Sequence, residues 1–255
     1  MSHHVMARQK NGLANASHTG LSQSGVMKLE TRKVIYERHS TRWFTDAVVP
    51  LETIREIVLD AGQTASWRNS QPWRIHIAHG EALDRIKQAH LDYSRTGQQG
   101  ASEMGWAHNH MWDQQSHVNQ RRWDRQVFEV IGHDIGSFRV AQARLFNAQA
   151  VVYLTLFKGS SPWSILDLGA FTQTLLLAAT DQGIQSIHAY ELVKYPSIVR
   201  EHAAIDDDQL LVTGIALGYE DPKAQINMLR TIRSTTNQIA VVGLESENLA
   251  LAQAV

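Results

Sequence analysis

An α+β fold is predicted by three features of the chain. Ala150 to Phe157 is apolar almost without interruption, the mark of a strand buried on both faces. Ile165 to Gln182 is apolar nearly all round and is followed by Gly183, which reads as a central helix with a glycine stop. Trp73, Ile75 and Ile77 alternate with Arg74 and His76, the period of a strand with one buried face. Helices and strands otherwise mix without a regular repeat.

In chain order, residues 1–26 are rich in Ser, Asn, Gln, His and Gly and lack an apolar period, so they read as a flexible leader to one domain over residues 27–255. Lys28 to His39 suits a short helix burying Leu29, Val34 and Ile35, and it ends at Ser40 and Thr41. Pro50 opens a second helix with Leu51, Ile54, Ile57, Val58 and Ala61 on one face, closed by Gly62. Glu81 to His90 reads as a third, after Gly80. Residues 93–125 carry Gly97, Gly100, Gly105 and the tryptophans Trp106, Trp112 and Trp123 without a clear period, and are expected to form an insertion or lid. Its tryptophans either shape a pocket or pin the loop to the body. Ile184 to Tyr190 and Leu210 to Leu217 read as strands flanking a helix that begins at Pro196.

Composition narrows the chemistry. The 255 residues hold 24 Lys and Arg against 25 Asp and Glu, so no net field recruits nucleic acid or an anionic membrane. Cysteine is absent, which removes disulfides, thiolate metal sites and cysteine nucleophiles and leaves redox chemistry to a bound cofactor. No apolar run is long enough to span a bilayer, and a cytoplasmic address is the default expectation.

Two segments concentrate polar chemistry. Arg38-His39-Ser40-Thr41-Arg42, followed by Trp43-Phe44, places two guanidinium groups and two hydroxyls at a helix end, a plausible anion cradle because an Arg fork donates two hydrogen bonds and stays charged. On this segment alone, a solvated basic helix end is the simpler account. Ser66-Trp67-Arg68-Asn69-Ser70-Gln71-Pro72-Trp73 offers donors and acceptors suited to the edge of a heterocycle, and equally suited to an ordinary turn before a strand.

Taken together, R-x-S-x-R-x-F over Arg38 to Phe44 and S-x-x-N-x-Q-P-W over Ser66 to Trp73 resemble the flavin pattern of the nitroreductase family. The resemblance extends to Asp167-Leu168-Gly169 with the following central helix, and to Leu217-Gly218-Tyr219-Glu220-Asp221-Pro222 with Asn227, Arg230 and Arg233. It implies a three-layer α/β/α sandwich around a mixed, mostly antiparallel sheet, in an obligate homodimer holding FMN at the interface. By the same resemblance Arg38, His39, Ser40 and Arg42 contact the phosphate, ribityl chain and pyrimidine edge, and Arg230 and Arg233 complete the phosphate site. Ser66, Arg68, Asn69 and Gln71 correspond to the segment supplied by the other subunit, and backbone N–H groups of His188, Ala189 and Tyr190 to those facing the flavin N5 edge. No protein nucleophile or metal is implied. The expected activity is ping-pong transfer of hydride from NADH or NADPH through FMN to a small acceptor such as a nitroaromatic or quinone.

Two departures stand out: Ile187-His188 replaces the family's small residues and Pro, and Phe146-Asn147-Ala148-Gln149-Ala150 lacks the usual Pro. Other readings compete. The same scaffold supports reductive dehalogenation and enone reduction, or flavin binding without turnover. His108, His110, His117 and Asp113 also have the ligand types of a zinc or nickel site.

Overall fold

Strand pairing is organised around Ala150–Phe157, the second strand (β2), which lies between Trp73–His79 (β1) and Gln209–Gly218 (β4); Gln185–His188 (β3) closes the far edge of β4. These pairs are antiparallel, and a parallel bridge between Ser40 and Ser186 extends the sheet at that edge. The computed structural model describes residues 31–132 and 134–240. The expected leader, and Leu29 of the first helix, lie outside them.

The apolar run predicted for β2 is explained by its two neighbours' helices. Ala150, Val152, Leu154 and Leu156 point to one face, where Leu51–Ala61 (α2) and Pro162–Asp181 (α6) contribute Ile54, Ile57, Phe171 and Leu175. Val151 and Tyr153 point to the other, beneath Glu81–Arg95 (α3), Ile135–Ala143 (α5) and Pro196–Ala203 (α7). A strand sandwiched this way needs apolar residues at both parities. A register shift at Leu154/Thr155 turns Leu211 toward the α3 side although Ile215 and Leu217 face α6. Opposite Tyr153, Gly214 has no room for a side chain: an added Cβ would lie 2.9 Å from Leu192 Cβ and 3.1 Å from Tyr153 Cδ1.

Helix α6 begins with Pro162 in its first turn, where the missing N–H costs nothing. It ends as the glycine stop predicts: Gly183 is left-handed at φ +74°, its N–H reaches Thr180 O, and the Ile184 N–H reaches Ala179 O at 2.8 Å. Over the described residues the first helix (α1, Thr31–Glu37) buries Val34 as expected but leaves Ile35 52% exposed, and α3 runs five residues past the expected end at His90.

The stretch read as an aperiodic lid is corrected in part. Tyr93 to Arg95 finish α3, and Gln114–Ile131 form an 18-residue helix (α4), leaving residues 96–113 as loop with one short turn at Asn109–Met111. The apolar period is weak because only Ile131 of α4 is buried. Its polar residues, mostly Gln and Arg, are nonetheless good helix formers, and Asp113 caps it by accepting the Ser116 N–H at 2.7 Å.

The loop is moored by Glu103, whose carboxylate accepts Arg200 Nε at 2.7 Å, Arg200 Nη2 at 2.8 Å and the Leu211 N–H at 2.7 Å. Burial opposes its ionisation, but the bidentate guanidinium and the N–H outweigh that and hold its carboxyl below the ordinary value. The stability this adds is present above the unfolded carboxyl's pKa, about 4.3, and is lost as pH falls through the depressed folded value. Glu103→Gln is therefore expected to cost about 1–2 kcal/mol in urea unfolding at pH 7. The gap between variant and parent should shrink below about pH 4.

Candidate active site

The two halves of the N-terminal and C-terminal motifs interlock. Phe44 is fully buried and sits over Gly218, where an added Cβ would be 2.7 Å from its ring, and Phe44 bridges Glu220 as an antiparallel pair. Asn227, 3% exposed, fixes the same crossing with all of its amide: Oδ1 accepts the N–H groups of Arg42 at 2.7 Å and Trp43 at 3.0 Å, and Nδ2 donates to Trp43 O at 2.7 Å and Asp221 O at 3.0 Å. Thr41 N–H bonds to Ser186 O at 3.0 Å, tying the segment to the edge of β3.

This frame gathers charge. Arg38, His39 and Arg230 line a cavity of about 490 Å³ together with Tyr36 and Gln185, and a neighbouring one of about 460 Å³ where Arg233 joins them. Burial, then the nearby charge of Arg233, lowers the Arg38 pKa. Arg42, 7% exposed, is pushed down to about 10 by burial and then by Arg230. Guanidinium groups that destabilise one another's charged forms are poised to gain from an anion. Glu220 supplies partial compensation: Oε2 accepts Thr41 Oγ1 at 3.0 Å and pairs with His39 Nε2 at 2.5 Å, and Oε1 lies 3.3 Å from Arg230 Nη2. Arg42 Nη1 donates to Ser40 O at 2.9 Å. Arg42 and Ser40 thus stand behind the wall of these two cavities rather than in their lining.

The second segment lies apart from the first. Arg68, Asn69 and Gln71 are exposed and left-handed, with φ of 49°, 58° and 43°. Each non-glycine residue held there costs about 1–3 kcal/mol, a strain that local bonds must offset. Ser66 Oγ accepts the Gln71 N–H at 3.0 Å, Gln71 Nε2 donates to Asn69 Oδ1 at 3.1 Å, and Asp167 Oδ2 accepts the Trp67 N–H at 3.0 Å. Trp67 stacks on Trp163 at 5.3 Å.

The third group sits at the end of β3. Ala189 and Tyr190 line a cavity of about 640 Å³ shared with Phe146 and with Trp106 and His108 of the loop. His188 keeps an open face to solvent, yet the protein around its ring lowers its pKa. The opposite wall carries a second strained turn, Leu145-Phe146-Asn147 at φ 47°, 61° and 57°, standing where the expected Pro is missing. It is held by Asn147 Nδ2 on Phe44 O and Asp46 Oδ1, both at 2.9 Å, and by the Phe44 N–H on Phe146 O.

The alternative metal reading finds no support in geometry. His108 and His110 stack ring on ring at 5.7 Å, Asp113 is engaged as a helix cap, and among the described residues no three metal-ligating side chains converge. Three positioning residues carried no assigned role in the sequence: Asp167 and Asn227, visible only as motif positions, and Glu220, at the variable place of its motif. Gln126 of α4 is a fourth. Its Nε2 donates to Arg230 O at 2.9 Å and its Oε1 accepts the Ile232 N–H at 3.3 Å, so one amide holds the backbone between Arg230 and Arg233.

An antiparallel sheet covered on both faces, a cationic cradle and a separate aromatic cavity define an α+β protein with two candidate ligand sites. The model of the nitroreductase family matches residues 35–219, and the chain belongs to that family. Among its relatives, a 4-nitrobenzoate reductase of Pseudomonas putida is 28% identical over 217 residues, covering 78% of this chain and 89% of the relative. Nitroreductase NfnB of Mycolicibacterium smegmatis is 28% identical over 210 residues, covering 79% and 88%. Among solved structures, the FMN-dependent nitroreductase NfnB from Mycobacterium smegmatis in complex with NADPH superposes with a TM-score of 0.77 at 24% identity, covering 84% of this chain and 97% of that one. A nitroreductase with bound FMN from Desulfitobacterium hafniense gives 0.57 at 21% identity, covering 85% and 100%.

Proposed function

We propose that the chain is an FMN-dependent oxidoreductase that passes electrons from NADPH or NADH to a small acceptor such as a nitroaromatic. The observation that carries this reading is the cluster of mutually repelling guanidinium groups, Arg38 with Arg233 and Arg42 with Arg230, around solvent-open cavities. A phosphate relieves that repulsion and accepts bidentate bonds from such groups. When bound, the flavin supplies a ring that takes up hydride and returns it to an acceptor. His39 in the lining and the Arg42 charge just behind it then favour the negative charge that develops on the ring's pyrimidine edge on reduction. Backbone N–H groups of His188, Ala189 and Tyr190 face the reacting edge, and the 640 Å³ cavity beyond them receives donor and acceptor in turn. Trp106 contacts Tyr190 edge-on at 5.0 Å, and both rings line that cavity.

The working unit is a homodimer in this reading. Trp67 (57% exposed), Trp163 (57%) and Leu166 (62%) form an uncovered apolar face on and beside α6, next to the strained Arg68–Gln71 segment. A second copy covering this face would bring Ser66, Arg68, Asn69 and Gln71 to the other protomer's cradle. Light scattering should give twice the chain mass.

NADPH added under argon is expected to bleach the protein's flavin band, and a nitroaromatic or quinone to restore it. A flavin band unchanged by both NADPH and NADH contradicts the proposal. Gln126→Leu is expected to weaken FMN binding about tenfold by loosening the Arg230–Arg233 backbone, a loss of about 1.4 kcal/mol. Riboflavin, lacking the phosphate, should bind the variant and the parent alike in fluorescence titrations.

A further inference from the structure

The cavity beside Ala189 and Tyr190 contains an ion pair that the electron-transfer reading does not use. Among the described residues, Lys194 is the one Lys or Arg in its lining. Its Nζ donates to Glu191 Oε1 at 2.8 Å and lies 5.1 Å from the centre of the Tyr195 ring. Tyr195 is 4% exposed and the Glu191 side chain 9%, while the Lys194 side chain is 25% exposed, so the ammonium borders the cavity but is engaged by a nearly buried carboxylate. Behind Glu191 stands His90, whose side chain is 4% exposed; its Nε2 is 3.6 Å from Glu191 Oε1, beyond hydrogen-bond reach, while its Nδ1 bonds to Ala143 O at 3.1 Å. Burial lowers the His90 pKa, and Lys194, at 2.8 Å, is the cation in direct contact with Glu191. The ammonium on this wall is therefore already paired with a carboxylate.

What remains on the wall is aromatic and amide, together with the His108 imidazole, which is stacked on His110 at 5.7 Å. Trp106, Tyr190 and Phe146 offer ring surface, and Gln99 and Gln142 offer side-chain donors. We infer that this cavity takes a flat, uncharged aromatic acceptor and discriminates against one carrying a carboxylate, with Glu191 as the specificity-determining residue because it withholds Lys194 from the ligand. The inference rests on the reading above, in which Ala189 and Tyr190 border the reacting edge. A nitro group needs donors that amides supply. A carboxylate would give up its water without gaining a free cation, and would do so close to the Glu191 carboxylate.

The test compares isosteric ligands on the holoenzyme: dissociation constants of benzamide and benzoate by calorimetry, and kcat/KM for 4-nitrobenzamide and 4-nitrobenzoate. The parent protein should prefer the neutral member of each pair by at least tenfold. Glu191→Gln, by releasing the ammonium, should bring that preference to threefold or less. Lys194→Met, which leaves Glu191 unbalanced, should widen it, and gives an answer if the Glu191 variant fails to fold. Equal or tighter binding of benzoate by the parent, or a preference that neither substitution moves, overturns the inference. Failure of the flavin reading shows separately, as a purified protein that contains and takes up no FMN, because the calorimetry reads the cavity without turnover.

Discussion

Asn227→Leu is expected to lower stability by about 3 kcal/mol, because it leaves the Arg42 and Trp43 N–H groups without partners in a buried crossing, at about 1–3 kcal/mol each before relaxation and entry of water, while the Trp43 and Asp221 carbonyls keep only the N–H groups of Asp221 and Ala224. The side chain is 3% exposed, and each of its four bonds is 2.7–3.0 Å long. Asn227→Asp, which keeps the acceptor to Arg42 and Trp43 and loses both donors, should fall between the two. Because the same amide fixes Arg42, the leucine variant should also fail to retain flavin at temperatures where it is still folded. Urea midpoints and flavin content of the purified variants measure both effects, and a change under about 1 kcal/mol would mean that the crossing is held by something other than Asn227.

The double variant Arg38→Ala, Arg233→Ala is expected to weaken FMN binding by about 10²–10⁴-fold. Two charge-assisted bonds to a phosphate are worth about 1.5–3 kcal/mol each, and every 1.4 kcal/mol is a factor of ten. Neither guanidinium carries the fold: Arg233 Nη1 bonds only to Thr231 within its own turn, and the charges of Arg38 and Arg233 repel. The flavin-free variant should therefore unfold at the parent's temperature or slightly above it. Riboflavin affinity should stay within about threefold of the parent, which separates loss of phosphate recognition from damage to the ring site. Equal losses for FMN and riboflavin would place the phosphate elsewhere.

The parts of the fold legible in the sequence are those in which one segment buries a regular face. Strand β2 was visible because both of its faces are covered, and α6 because its buried residues wrap most of its circumference and a glycine ends it. Helix α4 was not, because it lays a largely polar surface on the body and buries only Ile131, so that its one legible signal was the Asp113 cap. The turn at Leu145-Phe146-Asn147 owes its form to contacts with Phe44 and Asp46, a hundred residues away in sequence, which no local pattern records.

The candidate site divides in the same way. Arg38, His39, Arg230 and Arg233 are brought together by the fold, as the motif pattern suggested, because Phe44, Gly218 and Asn227 lock the two ends of the chain across one another. Ser66, Arg68, Asn69 and Gln71 stand apart within a single chain, and their place in the account depends on the second protomer. Gln126 and Glu191 act through backbone and charge partners far away in sequence or along an irregular turn, so residue type alone did not mark them.

The account stands most directly on the cofactor. The protein, purified without added flavin, should show the absorption bands of an oxidised flavin near 450 nm and release about one FMN per chain on heating, identified by chromatography against FMN and FAD standards. A colourless protein that also fails to take up added FMN would contradict the account, and would leave the Arg38–Arg233 cluster as a cradle for some other anion.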